Sequence, residues 1–246
     1  MQSVYSFHQT QHADIEKQEK FLWYSIDQMH DLYVLLLQSM VALRDHAENY
    51  LHKTKQKHLA TREEKNPSRR FVDNKAIQLL AENSYLQELL KKKKLNYWKE
   101  DDEYIAILFK ALFEKEWYLE YLSKSDSTLE EDRKFLVRVY KEVIAPNEKL
   151  YEYLEDKRLT WVDDYPIVNT AIVKMLGKLS ETNSNQVIPD LYKNEEDREY
   201  ALQLLRKVIL NEEKLAAQID GKTPNWDRER IAEIDFIILK MGIAEY

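Results

Sequence analysis

The side chains of this chain that lend themselves to chemistry are acids, cations, aromatics and a few histidines. Asp27-Gln28-Met29-His30 sets a carboxylate and an imidazole three residues apart on one helix, the spacing used by di-iron helical bundles. Such a site needs a second copy of the motif and two more acids on facing helices, and no second copy occurs, so His30 is expected to be an ordinary exposed or capping histidine. All six histidines lie at or before His58, but His46, His52 and His58 stand six apart and do not share a helix face. The chain has no cysteine, which removes thiol nucleophiles, disulfides and thiolate metal sites and fits a reducing, cytoplasmic setting. Gly177, Gly221 and Gly242 are the only glycines, so neither a Gly-rich phosphate cradle nor a Gly-flanked nucleophilic serine can be built. The acid pair Asp163-Asp164 falls at an expected helix start, where capping accounts for it. With no catalytic constellation, no metal site and no cofactor expected, the chain reads as a binding protein rather than an enzyme.

The net charge of −7 argues against a chain coated in basic side chains, yet the cations are unevenly spread. Lys53, Lys55, Lys57, Arg62, Lys65, Arg69 and Arg70 face only Glu63 and Glu64 across residues 53–70, and Lys91 to Lys94 form a second block. Either patch can meet phosphates. A solvated loop and a helix C-terminus that favours cations account for them more simply.

The elements that must position these groups are all helical. Charged residues make up 33% of the 246, and glycine and proline are scarce, a composition suited to helices and poor in hairpin turns. A helix is expected to be under way from residue 1, and no secretory signal pattern is seen there. Phe21, Leu22, Ile26, Met29, Tyr33, Leu36, Leu37, Met40, Leu43, Ala47 and Tyr50 recur at three- and four-residue steps, predicting one long amphipathic helix to about residue 58, closed by Asn66 and Pro67. A third helix is expected to carry Ile77, Leu80, Tyr85, Leu86 and Leu89, and a fourth, opened by Asp101 or Asp102, to carry Tyr104, Ile105, Leu108, Leu112 and Tyr118. Ser127 with Glu130, or Thr128 with Glu131, forms a capping-box pattern. Pro146 interrupts the helix that follows, a short helix runs to about Glu155, and Asp163, Asp164 and Pro166 mark another start. Asn194 caps the next helix, a short one ends at Gly221, and Thr223-Pro224-Asn225-Trp226 leads into a last helix with Ile231, Ile234, Ile238 and Met241 on one face. That apolar stripe is still in phase where the sequence stops, as in a truncated element.

Residues 132–161 can be laid over 197–226 without a gap. Asp132/Asp197, Arg133/Arg198, Val143/Val208, Ile144/Ile209, Glu148/Glu213, Lys149/Lys214, Leu150/Leu215, Lys157/Lys222 and Trp161/Trp226 then coincide. After one inserted residue, Ile172, Lys174 and Met175 fall on Ile238, Lys240 and Met241, and Asn169 on Asp235. Self-similarity of this kind means one supersecondary unit built twice. The expected architecture is an all-α helical bundle with a duplicated three-helix unit, divided into residues 1–125 (first helix plus an inserted helical region) and 126–246 (the duplicated region).

Two separated segments resemble one family. Met1-Gln2-Ser3-Val4-Tyr5-Ser6-Phe7-His8-Gln9 resembles the first helix of the bacterial transcription antitermination factor NusB, and Trp226 with Ile231 through Glu245 resembles that family's central helix. The whole chain is similar to the long NusB form of Bacteroidetes, in which a helical insertion follows the first helix. The resemblance implies an all-helical RNA-binding factor that pairs with the ribosomal protein NusE and binds the boxA element of ribosomal RNA transcripts within the elongation complex, with no membrane partner. It implies RNA contact at Tyr5 and Gln9, Tyr5 stacking on an unpaired base or else serving as a core aromatic, and NusE contact at Asp235, otherwise a solvated helix-edge acid. An Asn169 at the matching place in the first copy would mean that the fold itself requires no charge there. The family's arginine-rich stretch before the first helix and its helical pair after the central helix have no counterpart in these residues, so weak RNA binding by residues 1–246 is expected. A helical-repeat scaffold that presents a groove to a partner helix, without nucleic acid, is the alternative. A NusB-like domain of an RNA methyltransferase is less favoured, because no Gly-rich cofactor sequence follows.

Overall fold

Five side chains start five helices in the same way. Asn74, Asn83, Thr128, Asn147 and Asn194 each accept a hydrogen bond from the backbone N–H three residues on, at 2.7 to 3.2 Å. Each satisfies one of the N–H groups that a helix start leaves without an intrahelical partner. Thr128 completes a full capping box, because Glu131 accepts from the Thr128 N–H in return.

The computed structural model describes residues 1–10, 14–56, 67–184, 187–220, 222 and 231–246, and among these every regular element is a helix. In chain order they are α1 (Gln2–Gln9), α2 (Ile15–Lys55), α3 (Lys75–Ala81), α4 (Ser84–Lys93), α5 (Tyr97–Glu100), α6 (Asp102–Phe113), α7 (Glu116–Ser123), α8 (Leu129–Val139), α9 (Glu148–Lys157), α10 (Trp161–Leu176), α11 (Glu195–Leu210), α12 (Glu212–Ile219) and α13 (Glu233–Glu245). A π-helical turn, Tyr140–Ile144, continues α8 and places Tyr140, Val143 and Ile144 all in the core.

The all-α expectation holds, with corrections at particular elements. The expected third helix is two, α3 and α4, because the Asn83 side chain caps the Leu86 N–H and starts a new helix. The expected fourth is also two: Lys115 takes extended backbone between α6 and α7, so Tyr118 belongs to a separate helix. α10 begins at Trp161, so Pro166 lies inside it rather than in its first turn, and the Thr170 hydroxyl donates to the Pro166 carbonyl at 2.9 Å. His30 is neither exposed nor a cap; it is buried, its ring parallel to that of Tyr33 with centroids 6.3 Å apart. Asn66, Gly221 and Thr223-Pro224-Asn225-Trp226 lie outside the described residues.

The described residues form two packed units, Met1–Asp27 with Asp190–Tyr246, and Gln28–Pro189. In the second, larger unit the run Leu32 to Leu37 is buried on every side of α2, as befits the central helix of a bundle. Two tryptophans tie their indole N–H groups to its backbone, Trp98 to the Leu35 carbonyl at 2.8 Å and Trp161 to the Gln28 carbonyl at 2.7 Å. A fully buried carboxylate, Asp132, accepts from the Tyr121 hydroxyl at 2.7 Å and the Lys75 N–H at 2.9 Å, while Asn74 donates to the Tyr121 oxygen at 3.0 Å. Each of these interior polar groups is thereby satisfied.

In the smaller unit α1, the start of α2 and α11 to α13 close over Val4, Leu205, Val208, Ile209, Leu215, Ile237 and Ala244. The two sequence copies have the same long–short–long helix order, α8 with its π turn, α9 and α10 against α11, α12 and α13. Val143 and Val208, Ile144 and Ile209, and Leu150 and Leu215 are buried in both. For the last helix, burial corrects the register. Ile172, Met175 and Leu179 are buried in the first copy, and Ile237, Lys240 and Ala244 in the second, which continues the gapless alignment with no inserted residue. The match of Ile172 with Ile238 therefore fails, since Ile238 is 50% exposed, and Asn169 is not the counterpart of Asp235.

Candidate nucleic-acid and partner interface

α1 is short, and it holds its place through Val4, which enters the core of the smaller unit, and Phe7, which packs against it. That leaves Tyr5 exposed at 38%, on the same face as Gln9 one turn further on. The Tyr5 ring is therefore not a core aromatic of this unit. Gln9 is committed: its amide donates to both carboxylate oxygens of Glu233, at 3.0 and 3.3 Å. This bond joins α1 to the first turn of α13, where Asp235 stands exposed. Gln9 and the N-terminal turn of α13 are thus brought together, under the acid of Glu233.

α13 presents a second feature. Its buried face is Ile237, Lys240 and Ala244, so Ile234, Ile238 and Leu239 turn outward at 46, 50 and 42% exposure. The stripe expected from Ile234, Ile238 and Met241 is therefore largely the solvent side of this helix, with Met241 half-buried against the core. Asp235 and Leu239 are one turn apart, so the acid lies at the edge of this apolar face. Ile238, Leu239 and Ile243 line one wall of a groove of about 990 Å³, and Leu215, Lys207 and Lys214 line the other.

Charge inside the unit is locally paired. Lys240, 4% exposed, donates to Glu212 at 2.9 Å, and the same carboxylate oxygen lies 3.3 Å from Nδ1 of His8. Arg206 makes a two-point pair with Glu19, which holds the Glu19 carboxyl below its ordinary range through the hydrogen bond from Arg206. The Tyr200 hydroxyl donates to Glu245 at 2.6 Å, fixing the C-terminal turn of α13 to α11. Among the described residues no group of His, Asp and Glu converges as a metal site, and no helix is long and apolar enough to cross a membrane. The arrangement offers stacking, charge pairing and apolar docking.

Among the described residues, the first helix carries an exposed ring and the last an apolar face edged by an acid. The NusB family matches residues 167–246, from within α10 through α13. The transcription antitermination protein NusB of Acetivibrio thermocellus is 32% identical over 65 residues, 26% of this chain and 45% of that protein. The chain thus spans less than half the length of the curated relative it matches. No solved structure matches it.

Proposed function

We propose that the chain is an RNA-binding antitermination factor that pairs with ribosomal protein NusE on boxA-type RNA of ribosomal RNA transcripts. The observation that carries this reading is the NusB-family match over 167–246. That stretch includes α13, whose outward apolar face has Asp235 at its edge. Asp235 is the residue for a charge pair with basic NusE, which guides encounter more than it adds affinity. Tyr5 supplies the ring for an unpaired base, and Gln9, held by Glu233, is a neighbouring contact on the same face.

The test is fluorescence anisotropy of a labelled boxA RNA with the chain and NusE at low and at physiological salt, together with co-elution of NusE. The expected result is a complex with NusE that holds RNA weakly, with Kd on the order of 10⁻⁶ M and steeply salt-dependent. Tyr5→Ala should weaken RNA binding several-fold and leave NusE binding intact, whereas Asp235→Lys should do the reverse. Absence of both NusE binding and RNA binding at low salt would overturn the reading.

A further inference from the structure

We propose that a cleft in the larger unit, between α7 and α8, is a second binding surface for single-stranded RNA, with bases stacking against Trp117 and Arg138 and phosphates meeting Arg70, Lys124 and Lys134. The proposal rests on the antitermination reading only in choosing RNA as the polymer; the cleft itself is argued from geometry.

The spacing that builds it is helical. Trp117 and Tyr121 are one turn apart on α7, and Lys134 and Arg138 one turn apart on α8, so each pair shares a face. Phe135 comes between the two helices and stacks on Tyr121, with centroids 3.6 Å apart and planes 14° apart, while Trp117 meets Phe135 edge-on at 5.5 Å. Cations extend this ladder at both ends. The Arg138 guanidinium lies 4.6 Å from the Trp117 ring centroid and the Arg70 guanidinium 4.5 Å from that of Tyr121. Tyr121 and Phe135 are buried, so the half-exposed Trp117 ring with the exposed Arg138 plane is the end of this ladder on which an unpaired base can stack without sequence preference.

Between the two ends lies a cleft of about 280 Å³. Its lining carries Arg70, Lys124, Lys134 and Arg138 against two acids, Glu120 and Glu131. Glu131 is already engaged by the Thr128 N–H in the capping box. Lys134 and Arg138 make exposed pairs with Glu130 and Glu142, their side chains 72 and 49% exposed. Exposed pairs of this kind contribute little and are readily exchanged for a phosphate. Arg70 is anchored differently: its Nη1 donates to the Lys124 carbonyl at 2.9 Å and the Asp126 carbonyl at 2.6 Å, while its buried Nε has no partner. Arg70 is therefore pre-positioned at the edge of the cleft. It also finds a use for the end of the basic stretch 53–70, whose Arg69 is instead paired with Glu48 and Asp73.

Charge distribution favours this unit as the place for a phosphate surface. The segments 1–27 and 190–246 hold 11 Lys and Arg against 17 Asp and Glu, whereas 28–189 hold 26 against 27. The near-even balance over 28–189 lets a local cationic patch there set the sign of the field that a phosphate meets.

The test is ultraviolet cross-linking of an oligouridylate of about twelve nucleotides, long enough to fill such a site, to the full chain, followed by peptide mapping. A salt titration of binding accompanies it. Cross-links at Trp117 are expected. Lys134→Gln with Arg138→Gln should weaken binding about tenfold and lower the slope of log K against log salt by about 0.7, the share of the one phosphate contact made by Lys134. Arg138→Lys, which keeps the charge and folds without a cavity, should retain the slope but lose cross-linking at Trp117. Cross-links confined to 1–27 or 190–246, with an unchanged slope in the double variant, would overturn this surface and leave the antitermination reading standing. Binding through the cleft with no response to NusE or boxA would do the opposite. Equal competition by polyglutamate would also overturn it, since that outcome makes the cleft a site for acidic polypeptides.

Discussion

Asp164 stands in the first turns of α10, partly buried and next to Asp163. Burial first, and the neighbouring carboxylate second, push its carboxyl up to about 6 from 3.8. A folded-state value above the unfolded one means the native state holds its proton more tightly. The associated stability is present below about pH 4 and is lost as pH rises through about 6. Asp164→Asn should therefore raise stability at pH 7.5 by about 1 kcal/mol, a figure discounted for partial solvent screening, and change nothing at pH 3.5. Urea melts at the two pH values check this; an equal shift at both would show that the charge is not the cause. Asp132 illustrates why single residues are hard to read from sequence. It matches Asp197 in the repeat, yet Asp132 is fully buried beneath Tyr121 and Lys75 while Asp197 is exposed in the first turn of α11. Residue type is the same, and only the long-range partners differ. The reverse holds for Trp117, Tyr121, Lys134 and Arg138, whose one-turn spacing was open to view but whose meeting depends on how α7 and α8 pack.

At the scale of elements, local signals were read where the side chain and the backbone it binds are close in sequence. The Thr128 box and the Asn194 cap are both three-residue patterns, and both are present. The breaks at Asn83 and Lys115 escaped because the apolar spacing continues across them; the Asn83 side chain starts a new helix and Lys115 takes extended backbone without a side-chain cap, while periodicity alone predicts continuation. Burial of Lys240 on α13 was hidden for a related reason, since a lysine on the inner face is disfavoured unless a partner such as Glu212 comes from elsewhere. The caps can be tested separately. Thr128→Ala should cost about 1 kcal/mol and speed amide hydrogen exchange over 129–139, and Asn194→Ala should do the same over 195–210. Each substitution should leave the other helix unaffected; loss of protection in both from either one would contradict the division into two packed units.

At the scale of the molecule, the two chain ends build one unit and the intervening residues 28–189 another. The all-helical class followed from composition, and the NusB likeness over 167–246 from the short stretch that includes Ile231 to Glu245, because both depend on local properties. The joining of residues 1–27 to 190–246 is long-range and leaves no periodic trace. The division of the sequence at residue 125 remains a proposal about repetition; packing groups the residues otherwise. The smaller unit also contains its own clock. Lys207 and Lys214 offer their amines to water, whereas Lys240 is enclosed beside Glu212 and the Phe236 ring, its side chain 5% exposed. An acylating ester given to the native protein should therefore label Lys207 and Lys214 at once and reach Lys240 only as fast as the surrounding helices part. Mass-spectrometric occupancy at that one amine then times the breathing of residues 1–27 and 190–246 directly, and labelling of Lys240 as prompt as that of Lys214 would show that the enclosure does not hold.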